Sequence, residues 1–441
     1  MIKQYGLKPL NTMLVLLSSA LLSVPAMAMQ AISDQEMADI VGQSLFYTQY
    51  TAPNTASTST NFGFYRVGIE AIMELNANIR KLQLGCGGSK GAGCDIDIDY
   101  LGLSGVSSTS DGRVTSDAVI TNPFFEIAIR NPNNASTREV AGVRFSAAQV
   151  AGMLTAGLQN SPTPNGINSL SGYLRTGVAT GTATTAARPM TFTDTNLTID
   201  GVVQGRLFGS SPGTTCVDGF LDPCYNIPFE SDTYNLNLDP ATVPITLNAK
   251  PHTLRRQSSV DLTGTGNVGT INFSGNLTAT VAGFLNLDKT VTGNITGLVA
   301  NISVTQSLGL IHKLTLNNPA SLSVQRENVR WPGAAVDAEA GWWLALEDTV
   351  DIGNVTPSNP VAITNAVLTQ VVPIINQDLT NNPRNCGNLL TGCVGGSALD
   401  VGNVNLASNP GRFLDFPLTN LQLAAQNFAP NCYAGSGLSF C

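Results

Sequence analysis

Alternation of apolar and polar residues dominates the chain. Asp95-Ile96-Asp97-Ile98-Asp99-Tyr100-Leu101 alternates strictly, which puts the isoleucines on one face of a strand and the aspartates on the other. The run Ile79-Arg80-Lys81-Leu82-Gln83-Leu84 precedes it, so strand, loop and strand read as a hairpin. Similar period-two runs recur over 190–203, 234–238, 260–262, 270–287, 296–305, 314–324 and 418–423. Turn signals lie between them, among them Asp111-Gly112, Asn122-Pro123, Asn131-Pro132 and Asn318-Pro319. Over 263–304 a recurring Gly/Asn/Thr texture suggests either a short-period solenoid or, preferably, a meander with Gly-rich turns.

Three segments carry helical signals. Ser33 caps 34–41 in a capping box with Glu36, and Gly42 ends it. Apolar residues Val150, Leu154 and Leu158 follow Ser146 at spacing four, predicting a helix over 146–158. Residues 361–379 are apolar over Val367, Leu368, Val371, Val372, Ile374 and Ile375, with Pro373 expected to kink them. The fold class that follows is mainly β: a large curved antiparallel sheet or sandwich with one or two packed helices.

Eight cysteines fall into four pairs of near neighbours: Cys86 with Cys94, Cys216 with Cys224, Cys386 with Cys393, and Cys432 with Cys441. Each pair brackets six to eight residues rich in Gly, Ser, Pro or Asn. Such loops can bring two Cα atoms within the ~5.5 Å of a disulfide, which implies four staples and an oxidising compartment. Chain entropy gives each staple about 2.5 kcal/mol. An export signal agrees with this. Lys3 and Lys8 precede an apolar run over 13–22, Pro25 breaks it, and Ala26-Met27-Ala28 forms a cleavage site before Met29. The expected organisation is signal 1–28, helix and linker 29–60, a β-rich region 61–250 with the first two staples, and a second β-rich region 251–441. That second region holds the helix near 361–379 and the C-terminal stapled loops. The break is placed near Lys250-Pro251-His252. No transmembrane segment is expected in the mature chain.

Removing two signal lysines takes the net charge from −8 to −10, that is 20 basic against 30 acidic residues, which disfavours nucleic acid as a partner. Charged residues make up 12% of the chain, against about 25% in ordinary domains. Hydroxyls and amides take their place, as on an exported β surface.

Candidate chemistry is sparse. Asp95, Asp97 and Asp99 invite a cation, but Tyr100 and Val106 stand where a calcium loop needs Gly and an acid, so a solvated strand face is preferred. His252 and His312 lack ligands at metal spacing and read as turn or surface residues. There is no G-x-S-x-G elbow and no phosphate loop. Glu347/Asp348 is an acid pair without testable geometry. Trp331, Trp342 and Trp343 with Phe124-Phe125 could make an aromatic platform, though packing is preferred. No catalytic, cofactor or metal residue is assigned.

The segment Met29-Gln30-Ala31-Ile32-Ser33-Asp34-Gln35-Glu36-Met37 through Gly42-Gln43, with Lys81 to Gly88 and Cys94 to Asp99, resembles exported gammaproteobacterial Fil-type (FilA) pilus-system proteins. The resemblance covers residues 29–131 and implies a cell-surface or periplasmic protein of a fimbria-like system, with no catalytic residues. The expected function is a non-enzymatic structural or adhesive part of a bacterial surface appendage, partnered by other appendage proteins or itself. The alternative is a periplasmic carrier of lipid or another apolar ligand, with a sheet curled around the 361–379 helix. A hydrolase built on acidic residues ranks third.

Overall fold

The computed structural model describes residues 45–53, 61–87, 90–158, 163–281, 285–357 and 359–419. The export signal and the helix expected over 34–41 lie outside them. The fold is mainly β, in three sheets.

The largest sheet runs from Phe46–Thr51 through Phe62–Ile69, Ala118–Arg130, Glu139–Thr155, Ala320–Gln325, Gly341–Val350, Ile167–Thr176 and Ile96–Ser104 to Ala77–Leu84. A further ladder, Gly102 opposite Thr155 to Ser104 opposite Met153, brings Ile96–Ser104 back onto Glu139–Thr155. Five strands are thereby rolled into a nearly closed barrel. A seven-stranded sheet is built on Cys224–Leu238, Ile271–Val281 and Leu285–Thr296. A five-stranded one is built on Ser259–Asn267, Val299–Ser307 and Thr242–Leu247.

Period-two patterning explains these strands directly. Val260 and Leu262, then Ala300, Ile302 and Val304, are buried while the intervening residues face outward. The 263–304 segment is neither a solenoid nor a simple meander. Ser259–Asn267 pairs with Val299–Ser307, and the hairpin Ile271–Val281/Leu285–Thr296 between them belongs to the other sheet. Most ladders are antiparallel, as expected. The strands that follow the long helix return parallel, however: Arg384–Asn388, Ala398–Asn405 and Phe413–Thr419 lie on Ile199–Arg206, Leu285–Thr296 and Val299–Ser307 respectively.

The helix expected over 146–158 is instead part of the 17-residue strand Glu139–Thr155. Spacing four does not separate the two, because residues i and i+4 share a face in a strand as well as in a helix. Pairing with Ala118–Arg130 on one side and Ala320–Gln325 on the other settles the matter. The second helix forms, at Asn365–Asn381. The Thr364 side chain accepts the Val367 N–H as its N-cap, and the helix continues through Pro373. Its apolar stripe, including Val367, Leu368, Val371 and Val372, is buried. The helix comes so close to Ile199–Arg206 that a Cβ on Gly201 would lie 2.7 Å from the Leu379 Cβ.

Lys250-Pro251-His252 does not part the chain. It opens the strand Lys250–Gln257, which pairs with Ile167–Thr176, and Leu254 joins the main core. Of the four expected staples, three are closed among the described residues: Cys86–Cys94, Cys216–Cys224 and Cys386–Cys393. The fourth, expected between Cys432 and Cys441, falls on residues outside the described ones.

Candidate functional site

The curl of the large sheet leaves an apolar groove of about 580 Å³. Its floor is buried Ala147, Val150 and Leu346. Its rim is exposed Phe46, Met73, Phe125 and Phe145. Among the described residues the only polar side chains lining it are Ser146 and Ser321, and the Ser146 hydroxyl is committed to the Ala320 carbonyl at 2.9 Å. Small-molecule sites are typically ~300–1,000 Å³ and mostly apolar, so the volume and the lining both suit an apolar ligand. Four exposed large apolar side chains around one opening are also more than scattered surface hydrophobics. Leu322 and Leu344 face the groove, while Ser323 and Trp343 are not part of its lining and Trp343 packs in the second core cluster.

A second apolar space lies under the long helix, inside the seven-stranded sheet, and amounts to only about 100 Å³. The helix fills the room that the sheet encloses. At its edge sits Lys289, 7% exposed, donating to the carbonyls of Val394 (3.2 Å) and Gly396. Burial pushes its ammonium below the usual lysine value.

The three aspartates have separate roles. Lys81 places its ammonium 2.6 Å from Asp97 and 2.8 Å from Asp99, and Asn168 bridges the same pair. A side-chain cation therefore occupies the position a metal would take. Burial works against ionised Asp97, but Lys81, Gln83 and Asn168 outweigh it and hold the carboxyl below its ordinary value. Asp95 is buried and takes hydrogen bonds from Lys90 Nζ, Arg256 Nε and the Trp342 N–H, each at 2.9 Å. The other nitrogens of Arg256 reach the carbonyls of Gly85, Gly87, Lys90, Gly91 and Ala92, so one guanidinium gathers the first stapled loop. Gly85, at φ +64°, is required here, since a Cβ would stand 2.3 Å from the Asp95 carboxylate.

The histidines, expected at turns or on the surface, are both buried, and only His312 lies in a connection between elements. His252 is 6% exposed, beside Thr176 Oγ1 at 3.1 Å, and His312 is fully buried, with Nδ1 donating to the Ala156 carbonyl at 2.8 Å. Period-two alternation in Lys250–Gln257 turns His252 inward together with Leu254. Burial, aided by Lys250 and opposed by Asp261, pushes His252 down to about 4. The folded state thus holds it neutral while the unfolded chain protonates it below 6.5. Its stabilising contribution is complete above pH 6.5 and is lost as pH falls toward 4, on the order of 3 kcal/mol. Urea unfolding across that window is expected to show this loss in the native chain and a shallower one in His252→Gln. Equal slopes would refute it.

Trp331 and Trp343 are packed in a second core cluster with Phe62, Phe64 and Tyr173. Phe124 carries the Arg66 guanidinium 3.9 Å above its ring, and Phe125 stands on the groove rim. Asp348 caps the 317–318 turn, accepting both backbone N–H groups, while Glu347 accepts from Ala335. Neighbours on a strand point to opposite faces, so these two carboxyls do not face each other.

One arrangement has no signal in the sequence. Glu126, 1% exposed, accepts from Arg144 at 2.5 Å and from Arg66 at 3.1 Å. Arg144 also donates to the Pro332 carbonyl and lies 5.3 Å from the Trp331 ring. Only the pairing of three strands brings these charges together.

No helix among the described residues is long and apolar enough to cross a membrane, a statement that does not bear on strands. No protein-family model matches the chain, and no curated protein and no solved structure matches it either.

Proposed function

We propose that this chain is an exported, non-catalytic β protein that holds an elongated apolar ligand, of the acyl-chain class, in the groove of its large sheet. The observation that carries this reading is the groove itself: about 580 Å³ with only two serine side chains among its polar lining. An apolar wall without charge favours a hydrocarbon over a sugar, nucleotide or peptide, whose polar groups would go unpaired there. The staples suit a protein that works in an oxidising compartment.

The test is a titration with a fluorescent fatty acid, competed by unlabelled acyl ligands. Ala147 forms part of the floor and is 3% exposed. Ala147→Trp is expected to fill the groove and weaken binding at least tenfold, with the fold checked by circular dichroism. Saturable binding that this variant leaves unchanged would reject the site.

A second reading, an appendage component that assembles by strand addition, is favoured by Phe46–Thr51. This strand ends the large sheet with Phe46 and Tyr50 exposed, and no strand among the described residues pairs with its outer side. The Fil-type resemblance belongs with this reading. Concentration-dependent polymers without bound ligand would select it over the carrier.

A further inference from the structure

The second and third staples form one structure, and its outer surface is apolar. Asn388 donates to the carbonyls of Leu207 and Gly209, Asn385 to those of Ser211 and Gly213, and the Ser211 N–H to the Gly387 carbonyl. The loop over 207–224 is thereby fastened to the loop closed by Cys386–Cys393. The joint tip carries Phe208 (81% exposed), Phe220 (100%), Leu221 (86%), Val217, Leu390 and Tyr225. Neither alternation nor core packing accounts for two phenylalanines and a leucine standing almost wholly in water, and such a cluster marks an interaction surface.

We infer that this stapled tip inserts into the interface of a lipid bilayer. Three observations favour a bilayer over a protein partner. The first is shape. Phe208, Phe220 and Leu221 are 81–100% exposed, so they suit a soft medium that closes around them. The second is hydrogen bonding. Side chains of the loop take several of its backbone N–H groups, which leaves fewer to be stripped of water in an apolar medium. The Asp222 carboxylate takes the N–H groups of Leu207, Phe208 and Gly209, the Asp218 carboxylate that of Cys224, and the Ser211 hydroxyl that of Val217. The third is charge. Residues 206–225 hold one basic residue, Arg206, and two acidic ones, Asp218 and Asp222, and Arg206 is paired with Asp222. No cationic rim is present, so the attraction is apolar insertion and not recognition of anionic headgroups. Tyr225, 44% exposed at the base of the loop, suits the headgroup level.

The tip belongs to the seven-stranded sheet and the groove to the large sheet, so the two sites are separable by mutation. The experiment is flotation of the full oxidised chain with phosphatidylcholine vesicles. The native chain is expected to co-float equally at low and high salt. The F220S/L221S double variant, altered only at exposed positions, is expected to partition about 100-fold more weakly with an unchanged melting midpoint. Phe220→Trp is expected to gain fluorescence that acyl-brominated lipid quenches, measured above the background of Trp331, Trp342 and Trp343. Ala147→Trp should float like the native chain, so failure of the groove would not disturb this result. The inference is overturned by absence of flotation, by flotation that the double variant retains, or by flotation that requires a membrane protein. It is also overturned if the tip instead drives soluble self-association that the same variant abolishes.

Discussion

Replacing Asp95 by alanine is expected to lower the free energy of unfolding by about 3–5 kcal/mol, the cost of leaving buried charge without its partner. Asp95 is 2% exposed and is the only carboxylate on Lys90 and Arg256 among the described ion pairs. Its loss strands a guanidinium that is 17% exposed and frees the Trp342 N–H. Arg256 ties the loop of Cys86–Cys94 to a strand more than 150 positions away in sequence, so the loop should also become a protease target while its disulfide stays closed. Asp95→Ala combined with Arg256→Ala is expected to cost less than the sum of the single changes by about 1–3 kcal/mol, because the two act in one network. Chemical denaturation of the four proteins measures this directly, and additive costs would show that the pair does not hold the loop. The pH dependence has a definite sign. Burial works against the charged form, but Lys90, the Trp342 N–H and Arg256 outweigh it and hold the carboxyl below its ordinary 3.8. The stabilisation is therefore complete above pH 3.8 and lost as pH falls further, a window lower than that of His252.

The second large effect is expected at Glu126. Glu126→Ala leaves Arg144, 5% exposed, beside Phe124 and Trp331 without its ion-pair partner. A loss of about 3–5 kcal/mol follows. Glu126→Leu with Arg144→Met removes both buried charges together and is expected to recover most of it, since apolar replacement of a whole buried pair is often neutral or stabilising. Thermal or urea unfolding of the single and double variants decides the point. A double variant as unstable as Glu126→Ala would mean that the pair is held for its own attraction.

Legibility in the sequence follows the range of the interaction. Local signals are legible: the alternation of Val299–Ser307, the three described staples, and the apolar stripe of Asn365–Asn381. The strand Glu139–Thr155 reads as a helix because Val150 and Leu154 share a face under either periodicity, and only its two flanking strands decide between them. His252 and His312 read as surface residues because polarity alone favours the surface. Alternation with Leu254 is the available sign for His252, and none exists for His312. The groove cannot be read at all. It depends on Gly102 meeting Thr155 and on the curl that this imposes, a relation between residues more than 50 positions apart. The Glu126–Arg144–Arg66 cluster is hidden for the same reason.

Native mass spectrometry of protein purified without detergent from an oxidising compartment reads occupancy of the groove. One lipid-sized adduct per chain is expected, released on denaturation and absent from Ala147→Trp. A bare mass for the native chain, with no adduct after exposure to acyl ligands, would contradict it.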